Sequence, residues 1–192
     1  MICGIDYGSK LAGTTVLARE RDGEIFLSQS VKGKDADLFI LELILEEKIQ
    51  LVALDAPLSL PGKLIGIPGK TDYFYRDCDK AVKAMSPMFI GGLTARAMKL
   101  KDELQANGVR VIEAYPKAIA SGLGYYANYQ KKDLSALPVF LNDLQKQFAH
   151  IVFKSVSNWH QLDACLAWLI AWKFQNATHS ETGDEIEGKI YF

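Results

Sequence analysis

Hydrophobic and polar positions along this chain fall into short extended runs first and helical periods later. Residues 2–6 (ICGID) form an apolar run that ends in an acid, and residues 13–18 are rich in β-forming side chains. Asp22-Gly23 separates that second stretch from Glu24–Val31. An Asp-Gly pair between two extended segments specifies a tight hairpin, so the pattern predicts three consecutive antiparallel strands with the loop Tyr7–Leu11 between the first two. Leu38, Leu41, Ile44 and Leu45 then recur at helical spacing behind Asp35 and Asp37, whose charges suit a helix N-terminus; a helix over about 35–48 follows. Leu51–Leu54 reads as a buried strand closed by Asp55-Ala56-Pro57.

Between Leu58 and Met88 the periodicity lapses among prolines and glycines, with one short helix expected near 73–84. A loop this long inside a compact domain is usually functional. Thr94 is expected to cap a helix running to Asn107, in which Ala97, Leu100 and Leu104 share a face and Gly108 is the stop. Val109–Glu113 is a further strand, helices are expected near 117–123, 134–148 and 159–175, and a polar loop over 177–188 precedes a short strand at 189–192. Three antiparallel strands, a helix, and strands that can lie parallel to the first make an α/β sheet of mixed direction flanked by helices. The reading is one domain over 1–192 with a loop-rich basic insertion at about 58–92.

With 49% hydrophobic and 23% charged residues, the chain can bury a full core. No run approaches the roughly 18 apolar residues of a membrane span, and MICGIDYG has neither the basic nor the apolar region of a signal peptide, so a cytoplasmic, membrane-free protein is expected. Cys3, Cys78 and Cys165 are scattered without a Cys-x-x-Cys pair, which fits reduced packing residues and disfavours a zinc site. Net charge is only −1 but unevenly placed: residues 63–132 hold twelve basic and six acidic side chains, while both flanks are acidic. Tyr73, Phe74, Tyr75, Phe89, Tyr115, Tyr125, Tyr126 and Tyr129 lie in the same stretch. Cations for a phosphate backbone interleaved with ring faces for bases suit a nucleic acid, DNA or RNA; a solvated face over core aromatics has the same composition.

The chemistry gathers at four acids, each of which interrupts or ends an apolar run: Asp6 in ICGIDYG, Asp55 in LVALDAP, Glu113 in VRVIEAYP and Asp163 in HQLDACLAWLIAW. A buried carboxylate is costly unless something positive neutralises it. Asp6, Asp55 and Glu113 sit at carboxyl ends of expected strands, where α/β sheets place ligands, and Asp163 lies in a helix apolar almost all round. Drawn together, they would form an all-oxygen cage suited to Mg²⁺ or Mn²⁺. Singly, a strand-end acid often only caps a helix or pairs with a lysine.

The strand–Asp–loop–strand opening, the second Asp after the fourth strand and the third Asp on the late helix resemble the ribonuclease H-like fold of metal-dependent nucleases and junction resolvases. Within it, VALDAPLSLPG, YRDCDKAV, LTARAMKLKDELQANGVRVIEAYPKA and LDACLAWLIAW resemble domain-of-unknown-function family 429, a set of predicted ribonuclease H-like nucleases, over nearly the whole chain. The chain departs from that pattern at Ala97, where members often carry Gly after the Arg. The resemblance implies a ribonuclease H-like fold and metal-dependent phosphodiester hydrolysis. In that chemistry two metal ions about 4 Å apart activate water and stabilise the leaving oxygen. Asp6 would bridge, Asp55 and Asp163 would hold one side each, and Glu113 would ligate or orient the water. Arg76 and Arg96, with Lys10 in the first loop, are candidates for phosphate contact. His160, three residues before Asp163 on one helical face, is a candidate proton shuttle, although a histidine at a helix N-terminus is commonly structural.

Two other readings share these residues. A catalytically inactive ribonuclease H-like module that grips nucleic acid would use the same basic, aromatic stretch, but keeping four buried acids costs stability and favours metal binding. An actin-like phosphotransferase would use Asp6-Tyr7-Gly8-Ser9 and Asp55, since Gly-Ile-Asp-x-Gly is shared with actin-like ATPases and sugar kinases; those folds need two such domains around the nucleotide.

Overall fold

A computed structural model describes residues 1–124, 129, 131, 133–153 and 156–192. Strands β1 (Ile2–Asp6), β2 (Val16–Arg21) and β3 (Glu24–Gln29) are the expected antiparallel meander; helix α1 (Ala36–Glu46) and strand β4 (Leu51–Asp55) follow. After the long loop and the short helix α2 (Asp77–Val82) come α3 (Gly91–Ala106), β5 (Arg110–Glu113), α4 (Pro116–Gly122), α5 (Leu137–Gln147) and α6 (Trp159–Gln175). The chain closes with a hairpin of β6 (Glu181–Asp184) and β7 (Gly188–Tyr191). The five-stranded sheet has the order β3-β2-β1-β4-β5, with β4 parallel to both β1 and β5. No helix among the described residues is long and apolar enough to cross a membrane.

Period-two alternation divides the sheet into two cores. Val16, Ala18, Leu51, Ala53 and Ile112 face α6, while Cys3, Ile5, Leu17, Val52, Leu54 and Val111 face α1 and α3. Helix α6 is buried on nearly every side from Leu162 to Ala171, which explains why its apolar residues show no solvent stripe. Asn158 caps it by accepting a hydrogen bond from the Gln161 N–H at 3.0 Å, which fixes its start.

The approach of α6 to β1 is set by Gly4. A Cβ placed on Gly4 would lie 1.8 Å from the backbone nitrogen of Trp168, so the helix backbone lies directly on the strand there. From that crossing, two residues along β1 to Asp6 and five back along α6 to Asp163 both travel about 7 Å. One close packing point therefore brings both acids to the same end of the sheet.

Two elements differ from the sequence expectation. Helix α3 begins three residues before Thr94, at Gly91, and Thr94 lies buried inside it, where its hydroxyl donates to the Pro87 carbonyl at 2.8 Å. The polar tail holds a strand as well as a loop: β6 pairs with β7, and Tyr191 bridges to Ala114 at the edge beyond β5. The hairpin carries Gly183 within β6 and Gly188 at the start of β7, at φ +97° and +122°, a backbone region closed to ordinary side chains.

Gly4→Ala is expected to destabilise the fold by about 3 kcal/mol or more, because the obstructing atoms are backbone and cannot rotate away. Gly122→Ala, where the added methyl meets no atom within 4 Å, should change stability by no more than about 0.5 kcal/mol. Urea denaturation of the two variants measures both, and equal effects would contradict the packing described.

Candidate metal centre

Asp6 and Asp55 are register partners at the carboxyl ends of two adjacent parallel strands, so their side chains leave the same face of the sheet. That face is covered by α6, and Asp163 reaches them from it. One carboxylate oxygen from each of Asp6, Asp55 and Asp163 lies within 4.8 Å of the others. Asp6 and Asp163 are buried, at 8% and 1% exposure.

Three carboxylates this close repel one another, and burial adds to the cost of their charges. Burial pushes the Asp55 carboxyl well above its ordinary value, and the charges of Asp163 and Asp6 add to the effect. Burial likewise raises Asp163 to about 6, against the opposing pull of Lys131. The compensating positive charge is local. The Lys131 ammonium contacts Asp163 Oδ2, the Tyr129 hydroxyl donates to Asp163 Oδ1, and His160 Nδ1 lies 2.8 Å from Asp6 Oδ2. The bond to Asp6 raises the His160 pKa, over the opposing effect of its partial burial. All the clustered donors are hard oxygens, the set that suits Mg²⁺ or Mn²⁺, and a divalent cation would relieve the repulsion that Lys131 offsets now.

Glu113 does not join the cluster. Its register partner is Leu54, one residue short of Asp55, and a one-residue offset turns a side chain to the opposite face. There it meets Arg76, which is fully buried and was expected at a phosphate. The guanidinium donates to Glu113 Oε1 and Oε2 at 2.6 and 2.7 Å, to Asp79 Oδ1 and Oδ2 at 2.6 and 3.0 Å, and to Ser59 Oγ at 2.8 Å. All five N–H groups are used. Arg76 therefore cannot contact a substrate phosphate, and Glu113 cannot ligate a metal while both oxygens accept from Arg76 and one also accepts from the Leu58 N–H at 2.8 Å. Their partner Asp79, and Glu187, which binds Gly62 N–H at 2.7 Å, Asp77 N–H at 2.9 Å and the Lys70 ammonium at 2.7 Å, fasten the long loop to the body of the protein.

Arg96 and Lys10 are also committed elsewhere. Arg96 donates to both oxygens of Asp37 at 3.1 and 2.6 Å and to the Gly8 carbonyl at 3.2 Å, and its guanidinium lies 4.7 Å from the centre of the Tyr7 ring. Tyr7 in turn donates to Asp37 at 2.6 Å. The group holds the turn that follows Asp6, a structural part rather than a phosphate contact. Lys10 pairs with Asp35 at 2.9 Å, at the N-terminus of α1.

The basic excess of residues 63–132 is spent in large part internally: Lys70, Arg76, Lys80, Arg96, Lys99 and Lys131 all have acidic partners. Tyr125, Tyr126 and Lys132 lie outside the described residues. Lys131 and Tyr129 were legible only as part of a basic, aromatic stretch, because nothing local ties them to Asp163, which lies 34 positions beyond Tyr129.

Two cavities flank the carboxylates. One, of about 240 Å³, is walled by Tyr7, Pro57, Ala84, Met85, Ile90 and Leu93 and ends at Asp6 and Asp55. The other, of about 450 Å³, runs from Asp55 along Tyr115, Lys117, Tyr129 and Lys131.

No protein-family model, curated protein or solved structure matches the chain.

Two outcomes are expected. The acids Asp55 and Asp163 hold protons more tightly folded than unfolded, so their contribution to stability is present below the unfolded value of 3.8 and is lost as pH rises, for Asp163 through about 6. The rise in Tm on adding millimolar Mg²⁺ should therefore grow between about pH 5 and pH 8, because the cation replaces protons that have left; an increment that is the same at both pH values would contradict this. Arg76→Met should cost about 3–5 kcal/mol in urea denaturation, since it leaves Glu113 and Asp79 buried without a cation.

Proposed function

We propose that this chain is a divalent-metal-dependent phosphodiesterase of the ribonuclease H-like type, acting on nucleic acid. The observation that carries the reading is the meeting of Asp6, Asp55 and Asp163 between two cavities at the carboxyl end of the parallel strands. The strand order supports it, with an antiparallel meander followed by parallel strands on one side of β1. So does the likeness of the phrases around Asp55 and Asp163 to domain-of-unknown-function family 429.

In this reading Asp6, Asp55 and Asp163 hold the cation. When bound, Mg²⁺ or Mn²⁺ would supply positive charge to the phosphate oxygens and acidify a bound water. The protein's own residues do the rest. Asp6 orients the half-exposed imidazole of His160 through Nδ1, which leaves the ring edge toward solvent to carry a proton to or from the reacting oxygens. Lys131, which pairs with Asp163, would be placed to contact a substrate phosphate if a cation took its place there. Arg76 and Glu113 stiffen the loop that walls one cavity, and Arg96 holds the turn after Asp6; these are positioning residues.

The experiment is hydrolysis of end-labelled DNA and RNA oligonucleotides in Mg²⁺ and Mn²⁺. Turnover is expected with either ion and none in EDTA. Asp6→Asn should lose at least about a hundredfold in rate together with the Mg²⁺-induced rise in Tm. His160→Ala should lose about a hundredfold or more in rate while that rise persists. Tight oligonucleotide binding with no turnover under any ion would replace the enzyme with a binding module.

A further inference from the structure

The two cavities beside the carboxylates are both mostly apolar and share Asp55, Met85 and Tyr115, and their lining narrows the substrate. The smaller one is lined by rings and aliphatic groups; its only charged walls besides Asp6 and Asp55 are Asp79 and Glu113, whose oxygens are already engaged by Arg76. An apolar cavity of about 150 Å³ accommodates a benzene ring, so about 240 Å³ takes one planar heterocycle and little more. On the other side of Asp55 and Met85, the larger cavity presents Lys117 and Lys131 beside Tyr115. The apolar slot and the larger cavity, whose wall adds two lysines to Met85, Tyr115, Pro116 and Tyr129, meet at Asp55, so a base in the first leaves its phosphates beside the carboxylates and those lysines.

Resting on the phosphodiesterase reading above, we propose that the substrate is an unpaired polynucleotide strand, one base of which enters the slot walled by Tyr7, Ala84, Met85, Ile90 and Leu93. A base stacked in a duplex cannot enter it without being swung out, at a cost of a few kcal/mol; an unpaired base has little to lose. Outside the slot the surface continues the same pattern. Phe74 and Phe89 are 53% and 64% exposed with ring centres 5.8 Å apart, and the Lys63 ammonium lies 5.8 Å from the centre of the exposed Tyr73 ring. Ring faces open to solvent beside a cation stack bases of any sequence and follow a single strand's backbone. The Ser86 hydroxyl donates to the Phe74 carbonyl at 2.5 Å, which ties this aromatic ridge to the residue that follows Ala84 and Met85 of the slot wall.

The test compares cleavage, in Mg²⁺, of end-labelled single-stranded DNA and RNA with the same sequences annealed into blunt duplexes, using the full chain. Unpaired strands should be cut at least about tenfold faster, and the DNA and RNA arms show which sugar is accepted. Ala84→Trp, which fills the slot, should abolish most of that preference by lowering single-strand cleavage at least about tenfold, while the Mg²⁺-induced rise in Tm remains. Should Ala84→Trp not fold, Met85→Asp at the exposed lip serves the same purpose and is expected to act in the same direction. Duplexes cut as fast as single strands, or single-strand cleavage unaffected by both substitutions, would overturn the slot proposal and leave the metal centre standing. Loss of the Mg²⁺-induced rise in the unaltered chain would instead remove the phosphodiesterase reading, and this proposal with it.

Discussion

The candidate site depends on three carboxylates whose oxygens lie within 4.8 Å of one another at the end of the parallel strands. Nothing in the packing of an α/β sheet requires Asp6, Asp55 and Asp163 to meet. They do so because β1 and β4 run parallel in register and because Gly4 lets α6 lie backbone against backbone on β1. Asp163 reaches the strand ends from a helix that lies directly on β1 at Gly4. Burial first, and the charges of the neighbouring acids after it, raise the pKa values of Asp55 and Asp163, and the Lys131 ammonium lies on the cluster. The fold gathers negative charge at the end of its parallel strands and sets one half-exposed lysine against it, an arrangement that could hold a divalent cation.

A second ion cluster lies on the opposite face of the same sheet and behaves in the opposite way. Arg76 satisfies Glu113 and Asp79 completely, with every donor matched by an acceptor. Such a cluster is rigid and inert. It fixes the long loop 58–90, whose residues wall one of the cavities at the carboxylates, and Glu187 of the terminal hairpin fixes the same loop from another side. The two faces thus divide the work: one holds unbalanced charge, and the other uses balanced charge to keep the surrounding wall in place.

Much of the fold was legible from the amino-acid order, because period-two and period-3.6 patterns are strong here. The Asp22-Gly23 hairpin, the buried strand before Asp55 and the helix 159–175 all follow from local signals. Asp6, Asp55 and Asp163 stood out for the same reason, as charges inside apolar runs. What was not legible is what depends on register. Glu113 ends its strand as Asp55 does, yet pairs with Leu54, and that single step sends it to the other face. Arg76 sits in a loop rich in proline and looks like a surface residue; only the distant partner Glu113 explains its burial. Thr94 reads as a helix cap, but its hydroxyl donates to the Pro87 carbonyl from inside a helix that begins at Gly91. The strand Glu181–Asp184 lacks alternation because it packs by backbone pairing to β7 with little side-chain burial. Lys131 and Tyr129 were visible as composition and invisible as partners of Asp163.

The central claim is that the three carboxylates form a cation site, and diffraction at the manganese edge tests it most directly. Crystals of the chain soaked in Mn²⁺ are expected to show an anomalous peak within coordinating distance of Asp6, Asp55 and Asp163, with the Lys131 side chain moved off Asp163. Crystals without added divalent ion should keep that pair. An Mn²⁺-soaked crystal in which the peak is absent or lies elsewhere, with Lys131 still on Asp163, would show that the lysine is the cluster's permanent partner and that the site is structural.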